Sequence, residues 1–134
     1  MTYMFGFETP YHIEKFLNKL PLTLEKLTFR HTYLNLDILP MFPNLTTLEI
    51  YLGNSTPSTH FQTRCPALTT LILTQSFFSL ECLRGVKLQR LVIRSVSVVD
   101  VSPLVDAYVD ELDLTECPHV TGLSKFPNVK TIKQ

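Results

Sequence analysis

Four histidines, His12, His31, His60 and His119, and three cysteines, Cys65, Cys82 and Cys117, are the residues of this chain best suited to hold a transition metal. Zinc sites draw on closely spaced pairs such as CxxC or HxxxH, because a short gap puts both donors on one turn of backbone. No such pair occurs, so no metal site is expected. Cys65-Pro66 and Cys117-Pro118 match the short Cys-Pro pair linked to haem regulation, but the first opens a repeated line and the second falls in a turn, and a structural use is expected for both. Asp106, Asp110, Glu111, Asp113 and Glu116 are dense enough for cation binding or acid/base work. Strand alternation would spread them over a sheet and its margins as a solvated face. No GxxxxGK[ST], GxGxxG or GxSxG stretch is present, and four glycines leave little to build a phosphate cradle. Catalysis and cofactor binding are therefore not expected.

The composition points the same way. A chain of 134 residues with 45% hydrophobic side chains holds one domain's worth of core. Twelve basic and twelve acidic residues leave a net charge of zero, without the basic footprint that nucleic acid or an anionic membrane attracts. No apolar run reaches the roughly 18 to 20 residues that span a bilayer. The opening "MTYMFGFETP" lacks a positively charged n-region, and three scattered cysteines make no disulfide framework. A soluble, intracellular protein, cytoplasmic or nuclear, is the expectation.

The elements that position these residues are legible in a repeated line. "FPNLTTLEI" (42–50) recurs as "CPALTTLIL" (65–73), and the underlying LxxLxL appears six times: "LEKLTF", "LTTLEI", "LTTLIL", "LQRLVI", "VDELDL" and "VKTIKQ". The anchors are Leu24, Leu45, Leu68, Leu88, Val109 and Val129, separated by 21, 23, 20, 21 and 20 residues. Every motif position but Gln134 is apolar. One short strand per repeat cannot bury its own apolar side, so the repeats must stack to share a core.

The period and the motif resemble the leucine-rich repeat family over roughly residues 20–134. The resemblance implies an α/β solenoid, a right-handed β-α superhelix with a parallel sheet on its concave face and short helices or turns on its convex face. The family's turn asparagine is replaced here by Thr32, Gly53, Ser76, Val96 and Cys117. Only "VDELDLTECPHVTGL" is similar to the cysteine-containing subtype common in F-box-type ubiquitin-ligase receptors, with Cys117 at the turn and Val120 three residues on.

A single domain over 1–134 follows, with residues 1–20 as an N-terminal capping strand and helix. "ETPYHIEKFLNKL" reads as the best helix, capped by Thr9 with Pro10 at its first position. "TYMFGF" reads as a degenerate edge strand with Met4 and Phe7 one period before Leu24 and Leu27. Later returns are short and proline-rich, with Ser79 and Ser102 as candidate caps. The final strand leaves an edge that a partner, another chain or further sequence would cover.

Alternation then nominates the outward residues as a protein-binding face. A centre of Tyr51, Ile72 and Val92 is flanked by Arg30, Arg90 and Arg94 on one margin and by Glu49, Glu111 and Asp113 on the other, with Thr74 beside Tyr51. An apolar centre with an aromatic and arginines has the make-up of an interaction hot spot. The expected function is non-catalytic protein–protein interaction through this face. The alternatives are the substrate-recognition part of an F-box-type ubiquitin ligase and a structural subunit of a larger assembly.

Overall fold

A computed structural model of the chain describes residues 2–6, 17–30, 40–51, 64–74, 80–95, 98–123 and 126–134. Each LxxLxL line becomes a strand. With three further strands, β1, β6 and β8, the described elements in chain order are β1 (Thr2–Gly6), β2 (Lys26–Arg30), β3 (Thr47–Tyr51), β4 (Thr70–Thr74), β5 (Lys87–Arg94), β6 (Val98–Asp100), β7 (Tyr108–Glu116), β8 (His119–Thr121) and β9 (Val129–Lys133). Seven of them form one sheet in the order β1-β2-β3-β4-β5-β7-β9, with every pairing parallel. Strands neighbouring in sequence thus neighbour in space, the arrangement of a solenoid.

The second apolar position of each line sets the register. Leu27, Leu48, Leu71, Leu91, Leu112 and Ile132 lie side by side in one ladder. The first five are at most 3% exposed. The anchors Leu24, Leu45, Leu68, Leu88 and Val109 join them in a single core. A one-residue slip would turn this ladder to solvent, so burial of the leucines fixes the pairing.

Four strands, β2, β3, β4 and β9, are entered through a tight turn that closes on the anchor. Leu24, Leu45, Leu68 and Val129 donate their N–H groups to the carbonyls of Pro21, Phe42, Cys65 and Phe126, three residues back. In the last three the turn's second residue is Pro43, Pro66 or Pro127, whose fixed φ suits that place. The residue that opens the turn, Phe42, Cys65 or Phe126, is buried. The Cys-Pro pair at 65–66 is therefore a turn with its thiol in the core. Burial pushes that thiol up to about 11, against a small lowering by Arg64.

The duplicated threonine pairs stitch the coils together. Thr46 and Thr47 both donate N–H groups to the Glu25 carbonyl, Thr69 and Thr70 to that of Thr46, and Gln89 and Arg90 to that of Thr69. The first hydroxyl of each pair adds a bond to the same carbonyl, Thr46 to Glu25 at 3.1 Å and Thr69 to Thr46 at 3.2 Å.

Among the described residues the returns hold two 3₁₀ helices, Leu80–Leu83 and Ser102–Asp106. They also hold a second, two-stranded parallel sheet of β6 and β8. The described residues thus form a stack of parallel strands with almost no helix, where an α/β solenoid was expected. The expected helix over 8–20, with its Thr9 cap, lies mostly outside the described residues, as do Ser79 and the turn positions 32, 53, 76 and 96. Of that stretch Leu17 is described, and it is buried. Ser102 is not a cap. It sits inside its 3₁₀ helix and donates its N–H to Asp100 Oδ1 at 3.0 Å, so the carboxylate two residues earlier holds the helix start.

The edge strand forms at 2–6, but its register differs from the one expected. Tyr3, not Phe7, lies beside Leu27, and Met4 lies beside Thr28. With glycine at position 6, the pattern offers too few apolar matches to pin the pairing from sequence. Among the described residues no helix is long and apolar enough to cross a membrane.

Candidate functional site

The outward positions of the strands fall into three rows of residues along the sheet. The first row runs Lys26, Thr47, Thr70, Arg90, Glu111, Thr131 and the second Thr28, Glu49, Ile72, Val92, Asp113, Lys133. The third runs Arg30, Tyr51, Thr74, Arg94, Glu116, the last step shifted by one residue where β7 bulges. Glu49, Ile72 and Thr74 are half-buried at its middle, with Glu49 directly beside Ile72 instead of on a margin. The side chains of Arg30 and Tyr51 lie outside the described residues, although their backbones hold the third row.

Two of the nominated residues are not available on this surface. Val92 has no exposed area and Asp113 is 8% exposed. Val92 has Ile72 and Asp113 across the strands and Arg90 and Arg94 two residues to either side, so a short β-branched side chain sinks between longer ones. The apolar centre is therefore narrower than expected, with Ile72 as its described member.

The charges do not lie on opposite margins either. Arg90 and Glu111 share the first row and bond directly, Nε to Oε1 at 3.2 Å. Arg90 Nη2 lies 3.6 Å from Asp113 Oδ2, and Lys133 Nζ 3.3 Å from Glu111 Oε1. Arg94 pairs with Glu116 at 3.6 Å in the third row. Parallel register puts residues of successive coils side by side, so basic β5 meets acidic β7 and β7 meets basic β9. Asp110 with Lys130 at 3.1 Å and Asp106 with Arg84 at 3.9 Å complete the acidic run. Each of its five carboxylates has a cationic neighbour.

Asp113 is the most constrained of them. Burial works against its ionisation, but the Thr115 N–H and hydroxyl, at 3.1 and 2.8 Å, together with Arg90 and Lys133, outweigh burial and hold its carboxyl below the ordinary value. The result is a pre-ordered polar patch at the β5–β7–β9 end of the face and a half-buried, less charged patch at β3–β4.

A second feature escaped the sequence pattern. An open groove of about 720 Å³ runs along the strand starts, lined by Leu68, Thr69, Lys87, Leu88, Gln89, Tyr108, Asp110, Pro127, Asn128 and Lys130. Tyr108 is 51% exposed, with Lys87 Nζ 5.7 Å from its ring centre. The only hint in the sequence is an aromatic immediately before the fifth anchor, a place the repeat leaves unconstrained.

Cys117 sits at the turn after β7, half-buried against the core together with Val120, and its thiol donates to the Ile93 carbonyl of the preceding coil at 3.2 Å. His119 is exposed on β8, and among the described residues no three His, Cys, Asp or Glu side chains converge as a metal site. Comparison with protein-family models, curated proteins and solved structures finds no match to this chain.

Proposed function

We propose that the chain is a leucine-rich-repeat-type solenoid that binds another protein through the outward face of its seven-stranded sheet, without catalysis. The observation that carries this reading is the register. Successive coils bring Glu49, Ile72 and Thr74 together, half-exposed, beside the ordered Arg90–Glu111–Asp113 network. A rigid patch with an apolar spot and a polar rim binds at low ordering cost. The thiol of Cys117 bonded to a neighbouring coil supports the repeat assignment, because it does the work that asparagine does in this family.

The test is capture from native extract with the full chain and with a Glu49→Arg/Ile72→Arg variant, each checked by circular dichroism. Loss of a stoichiometric partner in the folded variant is expected. Capture that is unchanged would exclude this face.

A further inference from the structure

The groove at the strand starts joins apolar surface to polar groups that the fold leaves uncommitted. Its volume of about 720 Å³ falls within the range of about 300–1,000 Å³ that small-molecule sites occupy. Leu68 and Leu88, at most 5% exposed, supply apolar lining, and Tyr108 brings a ring that is 51% exposed. The Lys87 ammonium, 5.7 Å from the centre of that ring, restrains it. Gln89 and Asn128 add two carboxamides. Asn44, which like Asn128 stands just before its anchor, spends its carboxamide on the Leu22 carbonyl at 3.4 Å. Among the described residues the carboxamides of Gln89 and Asn128 take part in no such bond.

The lining discriminates between kinds of occupant. Gln89 and Arg90 already donate their N–H groups to the Thr69 carbonyl, Tyr108 donates to Val86 and Val109 to Asn128. These backbone groups are spent within the stack, so they cannot take up an added strand and recognition falls to side chains. The charged groups of the lining, Lys87, Asp110 and Lys130, sum to one positive charge, and Asp110 lies 3.1 Å from Lys130. That is too little to hold a polyanion. A wholly apolar ligand would strip water from the two carboxamides and give nothing back. A sugar ring meets each condition. It is neutral, its C–H face carries a slight positive charge that suits the negative face of an aromatic ring, and its hydroxyls donate and accept as a carboxamide does.

We propose that this groove binds a neutral oligosaccharide, with one sugar ring stacked on Tyr108 and its hydroxyls bonded to the carboxamides of Gln89 and Asn128. None of these residues belongs to the face formed by Glu49 and Ile72, so either site can fail without the other.

The test is saturation-transfer NMR on the full chain with three neutral trisaccharides, maltotriose, cellotriose and triacetylchitotriose, beside a heparin-derived tetrasaccharide as the anionic alternative. At least one neutral trisaccharide is expected to bind saturably, at least about tenfold tighter than the tetrasaccharide and with little dependence on salt. Tyr108→Ala should weaken that binding at least about tenfold, and Tyr108→Phe, which keeps the ring, less than about twofold. Gln89→Ala/Asn128→Ala should weaken it about tenfold. Each variant is checked by circular dichroism, and Glu49→Arg/Ile72→Arg should bind the sugar as the unaltered chain does. No saturable binding of any of the three, binding that survives Tyr108→Ala in a folded chain, or tighter binding of the tetrasaccharide overturns the proposal. So does a captured protein that Tyr108→Ala loses and the trisaccharides fail to displace, since the groove would then hold a polypeptide.

Discussion

Thr46 and Thr69 hold the same place in successive coils and do the same work. Each sends its N–H, and then its hydroxyl, to a carbonyl one coil back. Replacing either with valine keeps the shape and removes one bond, while the carbonyl keeps its two N–H donors. The loss should be about 0.5–1 kcal/mol in chemical denaturation, the lower part of the range for a hydrogen bond. Two titratable residues have opposite pH signatures. Asp113 titrates low in the folded chain, so its stabilisation is full above the ordinary carboxylate range and is lost as pH falls below it. Asp113→Asn should cost about 1.5 kcal/mol at neutral pH and flatten the acid side of the stability profile. Cys65 titrates high, so the folded state favours its thiol. That contribution is complete below 9.0 and fades as pH rises through about 11. With a shift from 9.0 to about 11, native Cys65 should react with a thiol reagent at pH 8 at least about a hundredfold more slowly than in the unfolded chain, read by mass spectrometry.

At the scale of elements, two glycines with left-handed backbone separate conformational cost from steric cost. Gly85 has φ +67° with open space where a Cβ would stand. Gly122 has φ +77°, and its Cβ would meet Asp100 Oδ1 at 2.3 Å and the Ser102 nitrogen at 2.8 Å. Gly85→Ala should therefore cost about 1 kcal/mol. Gly122→Ala should cost about 3 kcal/mol, because it also pushes Asp100 off the Ser102 N–H and disturbs the pairing of β6 with β8. Equal losses in denaturant titrations would mean that Asp100 swings clear without cost. The same elements show what the sequence makes legible. The anchors and the ladder from Leu27 to Ile132 were readable because burial repeats at a fixed period. β6 and β8 were not, since three-residue strands leave no periodic signature. Val92 reads as outward from alternation, and it is, but depth depends on the neighbours that register puts beside it. The pairing of Arg90 with Glu111 needed the same information, because residues 21 apart become neighbours only once the coil length is fixed.

At the scale of the whole molecule, stability is expected to vary along the stack. Each coil touches only its neighbours, so an inner ladder residue is covered from two sides and a terminal one from one side. Leu71 and Leu91 are at most 3% exposed and lie within the stack, whereas Ile132 is 37% exposed at its last strand. Leu71→Ala or Leu91→Ala should cost about 3 kcal/mol, the range for a buried leucine whose cavity cannot collapse. Ile132→Ala should cost about 1 kcal/mol, since much of its surface already meets water. Amide exchange should follow the same gradient, slowest in β4 and β5 and fastest in β9, because local opening of a terminal coil breaks one interface instead of two. The ordering is informative about more than the isolated chain. If Ile132→Ala proved as costly as Leu91→Ala, and β9 amides as protected as those of β5, the last strand would already be covered in solution. Self-association would then be the cause, and sedimentation at increasing dilution would release both the protection and the excess cost.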